Sequence, residues 1–281
     1  MSQSKARADA KSRLERSLAL KAFPPFAELD ERVLSALAGH AELKRLNSGE
    51  PLGATAPMPR ALRLVVSGCL KDGAGVRYGK HQLVGGPQAL AFEGQLDSAT
   101  RAESDTVVLE FEDRVLEALF EDEFSALEAM LRGLARSLLK RDGAEQPILR
   151  APQSGAMGLV ERVQVLRACP GLGALGLDIL ADIGLEGELQ PLASGEMWQR
   201  QGESYAALLS GKLVDVGGRG LTAPSLLGWL AALGEKSTRA RYVAQLPSVL
   251  MVFDAERFWD CLEDHPDQGV ELVRSLSRLL A

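Results

Sequence analysis

The sequence predicts an α+β fold of two tandem domains, each a roll of short strands flanked by helices. Three observations lead there. Between Leu192 and Val216 the turns Ser194-Gly195-Glu196, Gln201-Gly202-Glu203 and Ser210-Gly211-Lys212 follow one another closely. Glycine supplies the positive φ that tight turns need, and turns this close leave room only for strands. The same order stands earlier, where Leu46 to Leu52 (LNSGEPL) leads on to Leu64 to Leu70 (LVVSGCL), the signature of a repeated domain. Both copies are also framed alike: Phe23 to Asp30 (FPPFAELD) matches Cys169 to Gly176 (CPGLGALG), and Asp105 to Glu112 (DTVVLEFE) matches Pro247 to Asp254 (PSVLMVFD).

Taken in order, residues 1–22 read as a helix, with Leu14, Leu18 and Ala22 at helical spacing and no Gly or Pro to interrupt them. Its charges are mainly positive, which would suit an acidic partner or a membrane surface, but a solvated helix packing its leucine stripe on its own domain is the plainer reading. Residues 23–140 form the first domain. A short helix from Glu31 to Gly39 precedes strands that end near Phe111, and a helix follows on the stripe Phe120, Phe124, Leu127, Met130, Leu131, Leu134 and Leu138. Residues 141–158, with two prolines and no periodicity, read as a linker. Residues 159–281 repeat the plan. Helices are expected from Leu159 to Ala168 and Leu177 to Gly184, and a closing helix on Val270, Leu272, Val273, Leu276, Leu279 and Leu280.

The chain has 281 residues, 46% hydrophobic and 25% charged, enough for two cores of ordinary size and unlike a disordered chain. A net charge of -6 argues against a nucleic-acid partner, which needs a Lys/Arg surplus facing phosphates. Cys69, Cys169 and Cys261 are far apart and form no CxxC, so neither a zinc cluster nor a disulfide framework is expected, and free thiols suit a reducing cytoplasm. No apolar run is long enough to span a membrane, and the N-terminus lacks the apolar core of a secretory signal.

The order Leu-x-x-Gly-Glu, Gln-Gly-Glu and an aliphatic strand closing on Ser-Gly-x-Leu, found wholly or in part in both halves, resembles the cyclic nucleotide-binding domain family. That family includes the bacterial cAMP receptor protein and the regulatory subunit of cAMP-dependent protein kinase. The resemblance implies two β-roll (jelly-roll) domains. It further implies a phosphate cassette in each, where a Phe-Gly-Glu-Leu-Ala stretch begins a short helix. There the helix N-terminus holds the cyclic phosphate, the glutamate takes the ribose hydroxyl, and an arginine about ten residues on neutralises the charge.

Both cassettes depart from this pattern. In the first domain the stretch is Gly85 to Leu90 (GGPQAL). Pro87 stands for the glutamate beside Gln88 and has no N–H to donate, and the arginine slot falls at Leu96 or Asp97. In the second, Leu227 to Leu233 (LGWLAAL) puts Trp229 in the glutamate position, where an indole cannot accept from ribose. The arginine slot falls at Thr238. Arg239 and Arg241 flank Ala240, and a slip of one residue would bring Arg239 to a residual anion site with Gly228. Trp229 is expected to fill the vacated interior.

Other motifs carry less. Gly73 to Lys80 (GAGVRYGK) imitates a phosphate loop, but Ala74 replaces the first glycine and His81 the Ser/Thr, so a hairpin is expected. His40, His81 and His265 have no partner at ligand spacing, and no nucleophile elbow or metalloprotease motif is present. Carboxylates such as Glu103 and Asp105 form no catalytic pair readable from sequence. The chain shows neither the helix-turn-helix of the family's transcription factors nor the basic inhibitor segment of its kinase subunits. The expected function is therefore a non-enzymatic regulatory or scaffolding module acting through a protein partner, without cofactor, metal or nucleic acid. A homodimer could form through the two apolar-striped helices. The alternative is a sensor of a cyclic nucleotide or other small anion at the second domain.

Overall fold

The structure, a computed structural model, describes residues 2–27, 29–53, 61–91, 99–139, 157–199, 202, 204–234 and 241–280. It is mixed helix and sheet. The chain divides into two compact units, Met1–Gly133 with Leu280–Ala281, and Leu134–Leu279.

The first unit opens on α1 (Ser2–Lys21) and α2 (Glu31–His40), joined through a single 3-10 turn at Pro24–Phe26. Asp30 caps α2, its carboxylate accepting from the Val33 N–H at 2.8 Å. Leu14 and Leu18 are each 61% exposed, which corrects the expected leucine stripe. The face of α1 turned to the domain is the next one round the helix. Leu20 is fully buried with Phe23 and Phe26, and Arg16 Nη1 donates to the Ala41 carbonyl at 2.8 Å.

Six strands follow: β1 (Glu42–Leu46), β2 (Ala61–Ser67), β3 (Leu70–Lys71), β4 (Arg77–Tyr78), β5 (Arg101–Ala102) and β6 (Thr106–Glu112). They form two antiparallel sheets, β1-β6-β2 and β4-β3-β5, around Leu46, Leu52, Val65, Leu70, Val84, Ala102 and Val108. The expected hairpin over Gly73 to Lys80 is the β3–β4 pair. The single helix expected on the stripe from Phe120 is two, α3 (Asp113–Asp122) and α4 (Phe124–Leu139), because Glu123 leaves helical geometry at φ -137° and ψ 84°.

The second unit begins in the last turns of α4 and continues with α5 (Leu159–Ala168) and α6 (Leu177–Glu186), with a 3-10 turn at Leu172–Ala174 between them. Its strands are β7 (Glu188–Leu192), β8 (Met197–Gln199), β9 (Ser204–Ser210), β10 (Lys212–Asp215), β11 (Gly220–Thr222), β12 (Ser225–Leu227), β13 (Arg241–Ala244) and β14 (Ser248–Asp254). The sheets run β12-β9-β14-β7 and β11-β10-β13-β8. A short α7 (Trp229–Gly234) stands between β12 and β13. The unit closes on α8 (Ala255–Asp264) and α9 (Pro266–Leu279), with the break at His265 and Pro266 falling where Glu123 breaks the first unit.

The sequence repeat is also a repeat of hydrogen bonds. Gly49 N–H donates to the Ala102 carbonyl at 2.7 Å, and Gly195 N–H to the Ala244 carbonyl at 2.7 Å. Glu50 Oε2 accepts from the Asn47 N–H at 2.8 Å, and Glu196 Oε2 from the Ala193 N–H at 2.8 Å. The Ser-Gly pairs are required twice over. Gly68 (φ +84°) and Gly211 (φ +95°) turn left-handed, and a β-carbon would stand 2.4 Å from the Asp105 carbonyl oxygen in one and well inside contact with Ser248 in the other. The hydroxyl at each crossing is also matched, Thr106 Oγ1 accepting from the Cys69 N–H at 3.1 Å and Ser248 Oγ from the Lys212 N–H at 3.2 Å.

The stripes expected to need a second copy are covered. Leu127, Met130, Leu131, Leu272, Val273 and Leu276 are fully buried within the single chain, and Leu139 and Leu279 remain 40% exposed. Most of the apolar surface of both stripes is thus covered within the chain. Among the described residues no helix is long and apolar enough to cross a membrane.

Candidate functional site

The second cassette lies between β12 and β13. Gly228 turns with φ +71°, and its carbonyl accepts from the Ala232 N–H at 2.8 Å to start α7. Trp229 is buried, but not in the roll interior. Its ring edge lies on Gly171 (φ +92°), where a β-carbon would meet Trp229 Cζ2 at 2.5 Å, Cη2 at 2.6 Å and Leu276 Cδ2 at 3.7 Å. The indole therefore sits in the helical layer, between the turn after α5 and the closing helix α9. Only glycine at 171 allows this approach. The far end of α7 is also held: Arg136, in the part of α4 that belongs to this unit, donates from Nε to the Gly234 carbonyl at 2.6 Å.

The interior is filled by a residue that sequence reasoning missed. Trp198 on β8 is 3% exposed and joins Leu192, Ala206, Leu208, Leu213, Leu227, Ala244 and Leu250 in one cluster. It pairs in register with Tyr242 on β13, ring centroids 5.8 Å apart. Arg241, one residue before, pairs with Gln199 and is exposed. Arg239 lies outside the described residues. Of the four candidates, Gly228 and Trp229 stand together at the start of α7, and Arg241 stands at the start of β13.

In the first unit the cassette is a 3-10 helix, Gly86–Ala91. The side chains of Pro87 and Gln88, and residues 92–98 with Leu96 and Asp97, lie outside the described residues. What the structure does place there is an ion cluster that the sequence pattern did not announce. Arg63 on β2, 2% exposed, donates from Nε to Glu110 Oε2 on β6 at 2.7 Å, and Lys44 Nζ on β1 lies 2.6 Å from Glu110 Oε1. By strand alternation these residues share the face of Val65, Val108 and Leu46, the core face. The Arg63 carbonyl accepts from the Val84 N–H at 2.9 Å, in the turn that leads into the cassette. A period-2 reading of Ala61 to Ser67 and Thr106 to Glu112 could have found the cluster, as Arg63 beside Val65 on one strand and Glu110 beside Val108 on the other.

The remaining candidates are structural. Glu103 carries Arg77, with Nε at 2.8 Å, and accepts from Cys69 Sγ at 3.6 Å; Asp105 accepts from the Ser48 N–H at 3.1 Å. The loop of the β3–β4 hairpin is tied by Asp72, which accepts from the Val76 N–H at 2.8 Å and from the Tyr78 hydroxyl at 2.9 Å. Burial pushes the Cys169 thiol up to about 12, and burial, then Glu103, also raises Cys69. Neither tends toward the reactive thiolate. Among the described residues no group of His, Cys, Asp and Glu could hold a metal ion.

No protein-family model matches the chain, and no curated protein matches it. Solved structures do. The regulatory domain of Toxoplasma gondii PKA with cAMP is 16% identical over 91% of this chain and 94% of its own, with a TM-score of 0.35. The regulatory subunit of a cAMP-independent protein kinase A from Trypanosoma brucei is 16% identical over 90% and 85%, TM-score 0.36. The sensor domain of the transcriptional regulator DNR from Pseudomonas aeruginosa is 17% identical over 48% and 98%, TM-score 0.37. The solved structures similar to this chain thus include regulatory subunits of protein kinase A and sensor domains of transcriptional regulators.

Proposed function

We propose that the chain is a pair of tandem cyclic nucleotide-binding-like β-roll domains that have given up their ligand, and that it serves as a non-enzymatic regulatory or scaffolding module for a protein partner. The paired turn hydrogen bonds of the two units support the tandem reading. The observation that carries the loss of ligand is Trp198 packed on Tyr242 in the second roll, where aromatic side chains occupy the interior. Trp229 completes the case. It replaces the carboxylate that would take a ribose hydroxyl, and its ring is wedged on Gly171 beside Leu276. The placement of α9 against the cassette is then fixed by a side chain of the chain itself, so the module holds one state without a bound effector. A small-anion sensor built on Gly228 and Arg239 has no support from the described residues.

Isothermal titration of the full chain with cAMP and cGMP tests this reading. No binding is expected at micromolar nucleotide. Each missing charged hydrogen bond in a buried site costs about 2 to 5 kcal/mol, so losing both the acceptor and the arginine removes most nucleotide affinity. A dissociation constant in the low micromolar range or below would overturn the proposal.

A further inference from the structure

The second unit contains a cleft of about 480 Å³ away from the cassette, where α6 ends, β7 and β9 begin and β14 passes into α8. We propose that it binds a small organic amine, a ring-sized apolar body carrying a protonated nitrogen with N–H donors.

Its wall is aromatic. Tyr205 stacks on Phe253 with centroids 4.9 Å apart and meets Phe258 edge-on at 6.0 Å. Its lining carries Glu186, Glu188 and Asp254, all exposed, against one cation, Arg257, which lies 3.3 Å from Glu186. The balance is negative, so the cleft repels anions and favours cations at its mouth. Aromatic walls with a few placed polar groups are the usual make-up of a small-molecule site.

The Tyr205 hydroxyl gives the cleft its specificity. Tyr205 is 3% exposed and lines the cleft, yet its hydroxyl has no hydrogen-bond partner among the described residues. Burial first, then the carboxylates of Asp254 and Glu186, hold the phenol protonated; both of those residues line the same cleft. A buried hydroxyl without a partner is costly and calls for an explanation. The fold does not demand it. In the first unit Leu62 pairs with Phe111 as Tyr205 pairs with Phe253, and Leu62 is fully buried. The oxygen is covered in the unliganded cleft, so a ligand N–H reaches Tyr205 Oη by displacing the atoms over it; the acidic lining then balances the ligand charge, and the rings receive its apolar body.

Calorimetric titration of the full chain with phenethylamine is the test, with phenylacetate as the matched anion and acetyl-arginine amide as a mimic of a partner's basic side chain. Saturable binding of phenethylamine is expected, none of phenylacetate, and affinity about tenfold weaker in Tyr205→Phe. In the ligand-free protein the same substitution should raise the thermal midpoint by about 2 °C, because it removes an unsatisfied buried group. A lowered midpoint would mean the hydroxyl has an internal partner and would overturn the proposal. So would Tyr205→Phe binding as well as wild type, or phenethylamine failing to bind. Acetyl-arginine amide binding where phenethylamine does not would overturn the assignment to a free amine. None of these outcomes depends on whether nucleotide binds the cassette.

Discussion

The two rolls solve the same interior in opposite ways. At matched register, Arg63 and Glu110 face each other across β2 and β6, whereas Ala206 and Val252 face each other across β9 and β14. Lys44 on β1 corresponds to Gln190 on β7. Conversely, Leu52 of the first unit takes the place of Trp198 in the second. The first interior is held at its cassette end by charge and is sparing in aromatic volume; the second, among the described residues, is held by apolar and aromatic volume. Shared turns thus fix the roll, and what fills it is free to diverge. Divergence of that kind is what an interior released from a common ligand would permit.

The largest effect expected from breaking this comparison lies in the second interior. Trp198→Ala should destabilise its unit by about 4 kcal/mol, since a buried indole leaves a cavity that the flanking strands cannot close. Leu52→Ala at the matching position should cost about 3 kcal/mol, reflecting the smaller volume removed. Chemical denaturation followed by circular dichroism, with each variant assigned to its own transition, measures both. Equal effects would mean that the second interior does not depend on the larger ring.

The charged interior should respond differently. Glu110→Ala takes a carboxylate away from the buried Arg63 and should cost about 3 kcal/mol. The double change Arg63→Ala with Glu110→Val installs the second unit's own pair, and it should recover most of that loss, because a buried ion pair is often no better than apolar residues of similar volume. If the double variant is as unstable as the single one, the ion cluster is required for the first roll and the two interiors are not interchangeable.

How much of the fold and the cassettes was legible beforehand depended on whether a residue's constraint was local. Gly68 and Gly211 could be read because a left-handed turn with no space for a β-carbon leaves almost no other choice. The hairpin at Gly73 to Lys80 and the helix Leu159–Ala168 were equally local. The face of α1 was not, because Leu14, Leu18 and Leu20 are equally apolar and only the position of α2 decides which is buried. The break at Glu123 lacks the proline that marks its counterpart at Pro266. At the cassettes the substitutions Pro87 and Trp229 were visible as departures from a pattern. The destination of the Trp229 ring was not, because it depends on Gly171 in a distant segment. Trp198 carried a faint signal, an apolar ring between Met197 and Gln199, but sequence alone did not say which strand face met the core.

The smallest effect expected concerns the helices that deliver the first and second rolls their outer layer. The two helices begin at matched positions with different chemistry. α2 is capped from within by Asp30, whose carboxylate takes the Val33 N–H at 2.8 Å. α6 begins at Gly176, which has no side chain to offer; there the Gly176 N–H donates to Gln268 Oε1 on α9 at 2.7 Å. Local capping stabilises one helix, whereas the other is tied to the closing helix across the unit. Asp30→Ala should therefore cost about 1 kcal/mol, all of it in the first unit. Gln268→Ala should cost about as much in the second, through a lost hydrogen bond to a partly buried amide. The two substitutions differ in how far the loosening spreads. Hydrogen exchange in Asp30→Ala should quicken only in the first turn of α2, while Gln268→Ala should loosen both the start of α6 and the start of α9. Exchange confined to α9 in the latter variant would show that α6 holds its own N-terminus, and that the two units are anchored to their helices in the same way after all.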